Sequence, residues 1–307
     1  MPGAYTHITV VNLAREPARL GAGPGIPREA GLALSKWFKF CELGAVSPDY
    51  PYLALSASAN KWADLMHYHD TGAMVKVGVD LVRRMVGTGR QKAFVWLLGY
   101  AAHVVTDATI HPVVELKVGP YAENKRRHRV CEMHHDAYIF QRLGLGEVGL
   151  SEHLSSGILK CASAEGVLDP AVSSAWQGML QACHPEEFAG NPPEVGAWHK
   201  GFDLIVNRIA EEGNHLLPIA RHVAVDCGLT YPAADSVDRA EYIAALVTPH
   251  GVSPYDEVFD KAIKHVIEAW HLIAEAVFGS NTQYQTAFGD WNLDTGRDAS
   301  NTIVLWA

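Results

Sequence analysis

Residues 96–115 read WLLGYAAHVVTDATIHPVVE, and this stretch decides the fold. As a helix it sets His103, Asp107 and His111 at i, i+4 and i+8. Each four-residue step advances only about 40° past a full turn, so the three side chains project along one flank. Trp96, Leu97, Leu98, Tyr100, Val104 and Val105 surround them, which carries the polar triplet into an apolar setting rather than leaving it on a solvated face. Buried polar groups need partners, and a cation can serve two imidazoles and a carboxylate at once. The competing reading is a set of hydrogen-bonded core histidines and an aspartate capping ahead of Pro112. One histidine alone would favour that reading; three ligand groups in register bring the two level.

The 307 residues allow one large helical domain or two smaller ones, and 48% hydrophobic with 19% charged residues is a globular composition. No run is expected to reach the roughly 20 apolar residues that span a bilayer, so no transmembrane segment is expected. Residues 1–14 hold no Lys or Arg, unlike a secretory leader, and the expected location is cytoplasmic. A net charge of -9 argues against a stable complex with nucleic acid or an anionic membrane surface. It leaves a phosphate substrate open, because bound divalent cations reverse the field locally. Cys41, Cys131, Cys161, Cys183 and Cys227 are odd in number and not closely paired, which suits reduced thiols. Sixteen histidines against six methionines point to a metal site or to pH sensitivity.

Along the chain, helical spacing predicts helices over 10–20, 28–43, 73–86, 90–118 and 121–143, with Pro112 disturbing the fourth and Gly119-Pro120 ending it. His7 precedes the first. Asp49 lies between Pro48 and Pro51, where a stiff, non-helical turn is expected, and His67 and His69 flank a break near residues 70–72. In the fifth helix His128 and Glu132 stand at i and i+4, followed by His135 and Asp136, although Lys125, Arg126, Arg127 and Arg129 favour a solvated face there. Helices are also predicted over 152–164, 169–183, 195–213, 239–246 and 254–278. Extended structure is expected only at 282–288 and 302–306, with a hairpin around 292–296. The expectation is an all-α protein of one domain, 1–307, with a metal-binding half (1–149) and a helical extension (150–307).

The ordered set of His7, Pro48-Asp49-Tyr50, the His67 to His69 segment, G-Y-x-x-H-x-x-x-D-x-x-x-H from Gly99 to His111, and H-x-x-x-E at His128 and Glu132 resembles the zinc-dependent phospholipase C family. Three residues separate Asp107 from His111, most similar to the branch containing the catalytic domain of glycosylphosphatidylinositol phospholipase D. That gap is longer in secreted bacterial phospholipases C and in related single-strand nucleases. The resemblance implies an all-helical domain with two to three Zn2+ ions in one cleft. His67, His103, Asp107 and Asp49 would hold one zinc; His111, His128 and Glu132 a second; His7 and the Met1 amine and carbonyl, with Asp107 bridging, a third. His67 fits the motif better than His69.

Neutral imidazole and carboxylate suit zinc, and i,i+4 pairs can grip one ion from a single helix. Closely spaced zinc ions suit hydrolysis of a phosphodiester, phospholipid included, with Asp49 as the candidate catalytic base. Tyr50, Tyr52 and Tyr68 are candidate stacking groups for a nuclease-like or small-molecule phosphodiesterase. A non-catalytic metal-binding scaffold is the third alternative. A di-iron centre is disfavoured, because the ligand series above lacks paired Glu-x-x-His motifs.

Overall fold

A computed structural model describes residues 3–23, 25–54, 56–146, 157–162, 167–202 and 231–307. Among these residues the chain forms fourteen α-helices and one two-stranded hairpin, so the protein is all-α. Eight helices position the site: α1 (Ala4–Ala14), α2 (Lys39–Val46), α3 (Ala57–Tyr68), α4 (Thr71–Arg84), α5 (Gly87–Val118), α6 (Tyr121–Ile139), α7 (Pro170–Cys183) and α8 (Tyr255–Phe278). The hairpin pairs β1 (Leu246–Thr248) with β2 (Gly251–Ser253), Val247 opposite Val252.

Helix α5 is the axis. It is apolar on every side, as a helix surrounded by others must be, and every residue from Ala93 to Val114 is buried. An 18-residue window of it has mean hydropathy 1.3, enough by length and composition to cross a membrane, and that whole window is buried inside the fold. This corrects the expectation that no run is so apolar; here the apolar surface belongs to a core helix. The core indoles find acceptors, as buried Trp N–H groups must: Trp96 donates to Ser47 Oγ at 2.9 Å and Trp270 to the Leu98 carbonyl at 2.8 Å.

Helices α2 and α5 touch backbone to backbone. A Cβ on Gly99 would lie 2.0 Å from the Cys41 carbonyl oxygen, and one on Gly44 2.0 Å from that of Trp96, so only glycine permits this approach. The contact brings the end of α2, and the Pro48-Asp49 turn after it, against the flank bearing His103. Pro112 removes an N–H from α5 and frees the Ala108 carbonyl, yet the helix runs unbroken to Val118. Gly296, at φ +63°, packs where a Cβ would fall 2.5 Å from that carbonyl.

Several expected boundaries shift. The first helix begins at Ala4 rather than near residue 10, so His7 is helical. The helix predicted over 28–43 is two, Arg28–Trp37 and α2, meeting at Phe38. Asp49 ends a 3-10 turn, Ser47–Asp49, that leads directly into the short helix Tyr50–Leu53; both prolines occupy first-turn positions, where their fixed φ suits a helix. The predicted helix over 239–246 stops at Tyr242 and gives way to β1, while 282–288 contains the helix Tyr284–Ala287 instead of a strand. At 302–306 the extended expectation yields to the 3-10 turn Val304–Trp306, and 292–296 forms a tight turn closed by an Asn292 to Arg297 bridge. Of the helix predicted over 152–164, the described part contains the 3-10 turn Ile158–Cys161. Most of the 195–213 expectation, and Cys227, lie outside the described residues.

Candidate metal centre

Five elements deliver the side chains. His103, Asp107 and His111 come from α5, fully or almost fully buried; His67 comes from the last turn of α3, Asp49 from the turn after α2, His7 from α1, and His128 with Glu132 from α6. The residue ahead of α1 is Gly3, which has no side chain to cap the helix. The cap comes instead from Asp136 on α6, which accepts from the Thr6 N–H at 2.8 Å and the Tyr5 N–H at 3.4 Å. In the sequence Asp136 stands out only as a neighbour of Glu132. Its role depends on a residue 130 positions away, so local spacing could not show it.

The first group has the size of a zinc site. His67 Nε2 lies 3.3 Å from His103 Nε2 and 3.3 Å from Asp49 Oδ1, and His103 Nε2 lies 3.2 Å from Asp107 Oδ2. The wider separations are 3.9 Å between His67 and Asp107 and 4.0 Å between His103 and Asp49. Ligands about 2.0–2.2 Å from a tetrahedral ion stand about 3.3–3.6 Å apart, so these four atoms need little movement to share one. The other Asp107 oxygen, Oδ1, faces His7 Nε2 at 3.1 Å, and the His7 ring stacks on His103 with centroids 4.1 Å apart.

The outward nitrogens are anchored in the way metal-binding imidazoles usually are, through the second ring nitrogen. His67 Nδ1 donates to the Ala63 carbonyl at 2.7 Å and His103 Nδ1 to the Ala45 carbonyl at 2.9 Å. Both Asp107 oxygens, Asp49 Oδ1 and both nitrogens of His7 are buried and make no hydrogen bond. Burial works to raise Asp107, but His103, His111 and His7 more than reverse it and hold the carboxyl well below its usual range. Asp49 is likewise lowered, with burial outweighed by His103 and His67. Burial also opposes protonation of His103; the Asp107 and Asp49 carboxylates overcome it and raise the imidazole to about 9. Burial, reinforced by the His103 charge, lowers His7.

The second group is looser. Glu132 Oε1 lies 3.7 Å from His111 Nε2 and 3.9 Å from His128 Nδ1. Here too the second nitrogens are tied to carbonyls, His111 Nδ1 to Leu293 and His128 Nε2 to Gly119 at 2.6 Å. Burial lowers His111 to about 3 and raises Glu132 to about 8. The solvated-face expectation for α6 fits its first half only, since 131–137 are all buried. His135 points away from the centre, stacking on Tyr255 at 3.9 Å. His69 is exposed and lines the cleft described below; Met1 lies outside the described residues.

A cleft of about 930 Å³, lined by Tyr52, Tyr68, Tyr121, Lys61, Lys125 and Asp294 among others, opens beside both groups. The Tyr52 ring lies 5.7 Å from that of His67, and Tyr121 meets His128 edge-on at 5.3 Å. Tyr50, by contrast, is wholly buried and stacks on Phe202, so it packs the core instead of facing the cleft.

An all-helical fold that buries histidines and carboxylates at zinc-ligand spacing defines a candidate metallohydrolase. The profile of the family described as zinc dependent phospholipase C matches residues 6–186, more than half of the chain, and the chain belongs to that family. No curated protein and no solved structure matches it. Family membership supports a zinc-dependent hydrolase of phosphoester bonds.

Proposed function

We propose that this protein is a phospholipase C type phosphodiesterase in which His67, His103, Asp107 and Asp49 hold one zinc. His111, His128 and Glu132 hold a second, and His7 with the free oxygen of Asp107 contributes to a third. The observation that carries this reading is the buried quartet of ring nitrogens and carboxylate oxygens, whose shortest separations match the edges of a zinc tetrahedron. Zinc would supply Lewis acidity toward the phosphoryl oxygens and an ionised water at neutral pH. The side chains do the rest. The Ala45 and Ala63 carbonyls hold the imidazoles in the tautomer that offers Nε2. Asp49, partly accessible and kept ionised by its histidines, is placed to orient or accept a proton from water on the cleft side. The three tyrosines wall the alcohol portion of the substrate.

The three-residue spacing between Asp107 and His111 supports placing the chain near the glycosylphosphatidylinositol phospholipase D branch, and a cytoplasmic location completes the proposal. The test is turnover by zinc-restored protein of short-chain phosphatidylcholine, bis(p-nitrophenyl) phosphate, p-nitrophenyl phosphate and single-stranded DNA. Zinc-dependent cleavage of diesters is expected, with none in Asp107→Ala. No turnover of any diester would overturn the reading. Preference for DNA would favour the nuclease-like alternative, which the tyrosine-walled cleft also suits.

A further inference from the structure

Residues 290–306 lie beyond the part of the chain matched by the family profile, yet their backbone reaches into the centre. Leu293 donates its N–H to the His67 carbonyl at 2.9 Å, and its own carbonyl accepts from His111 Nδ1. One loop residue therefore touches a candidate ligand of each group. The strap that carries it is fixed on both sides. Thr71 Oγ1 donates to the Trp291 carbonyl at 2.9 Å and accepts the Trp291 N–H at 2.8 Å. Gly296 packs on the Ala108 carbonyl freed by Pro112, and the Trp306 indole donates to the Thr109 carbonyl at 2.8 Å.

A carbonyl can only accept. The proton of the neutral His111 ring must then sit on Nδ1, leaving the Nε2 lone pair to face Glu132. Without Leu293 the ring would be free to carry its proton on Nε2, where it would block a cation. His67 is seated through its backbone by the same residue, in addition to its ring contact with Ala63.

We infer that Leu293 is a positioning residue of the metal centre: the strap around it selects the His111 tautomer and seats His67, so the C-terminal half completes the zinc site built by the N-terminal half. The zinc part of this inference rests on the function proposed above; the tautomer part does not.

Two full-length chains test it. In one, the peptide bond between Leu293 and Asp294 is replaced by an ester through semisynthesis, which weakens the Leu293 carbonyl as an acceptor and keeps every side chain. The other is Gly296→Ala, which displaces the strap sterically. Because the ester also removes the 3.0 Å bond from the Asp294 N–H to Asn292 Oδ1, Asn292→Ala is the matched control. Tyr284→Phe, which loses a 2.9 Å bond to Asp80, controls for weakening elsewhere in the C-terminal half. Long-range 1H–15N NMR of the metal-free chains reads the imidazole tautomers, and zinc titration reads affinity. In wild type and both controls His111 is expected to be the Nδ1–H tautomer. In both test chains a mixture is expected, with zinc at the His111 group bound roughly 10- to 100-fold more weakly. An unchanged tautomer and affinity in the ester chain overturns the inference even if Gly296→Ala fails to fold. A changed tautomer in a protein that takes up no zinc supports the positioning role and sinks the zinc reading instead.

Discussion

The two histidine groups lie side by side on α5 and differ in how they carry charge. Around Asp107, ionised carboxylates face His103, the nearer at 3.2 Å, and raise its imidazole to about 9, so the group is a buried network of opposite charges. Around Glu132, burial pushes the acid up to about 8 and His111 down to about 3, so that group is neutral at pH 7. The first has several contacts at 3.1 to 3.3 Å beside wider ones of 3.9 and 4.0 Å; the second has none shorter than 3.7 Å among the described contacts, standing at 3.7 and 3.9 Å. A preformed anionic cluster should hold its cation tightly, whereas a neutral one must lose a proton and contract to do so. On one helix, side chains a single turn apart thus stand in two candidate metal groups of different charge and spacing.

The largest expected effect breaks the seat of the first group. Gly99→Val places a side chain where even a Cβ would lie 2.0 Å from the Cys41 carbonyl, and it should cost more than about 3 kcal/mol by forcing α2 from α5. Thermal melts are expected to show an unfolded or strongly destabilised chain; a wild-type Tm would mean that this crossing does not set the site. Asp107→Ala comes next, removing the carboxylate that faces His7 and His103. Zinc in the first group should be lost and diester turnover should fall at least about 10³-fold, or roughly 4 kcal/mol, a change that steady-state kinetics would detect. Glu132→Gln sharpens the contrast, since it should weaken the second zinc while elemental analysis still finds the first.

Smaller effects separate the groups further. Asp136→Ala removes the outside cap of α1, worth about 1 kcal/mol, and should lower Tm by a few degrees; no change would mean that His7 is seated by other contacts. Proton release on zinc loading reads the charge states directly. At pH 7 both His103 and Glu132 are protonated in the metal-free protein, since both are raised above that pH, so about two protons should leave. As pH rises through about 8 the Glu132 contribution should vanish, and through about 9 that of His103. Calorimetry in buffers of different ionisation enthalpy measures this, and a release independent of pH between 7 and 10 would contradict the assigned states.

The polar flank of α5 and the His128-Glu132 pair are legible because i,i+4 spacing is local, whereas His67 is singled out from His69 only by the resemblance. His7 was found through motif order, but its helix was placed too late because Asp136 supplies the cap from another helix. The β1–β2 hairpin is three residues a side, too short for alternation to register. The strap at Leu293 acts through its main chain, which side-chain patterns cannot reveal. Pro112 suggested a disturbed helix, and the close packing of Gly296 against the freed carbonyl could be seen only in three dimensions.

The central claim, a preformed zinc site around Asp107, is tested most directly by counting metal in protein purified without chelator and dialysed against a weak one. At least one zinc is expected to be retained per chain, with Glu132→Gln keeping it and Asp107→Ala losing it. Less than one metal per chain in wild type, or equal retention in Asp107→Ala, would contradict it.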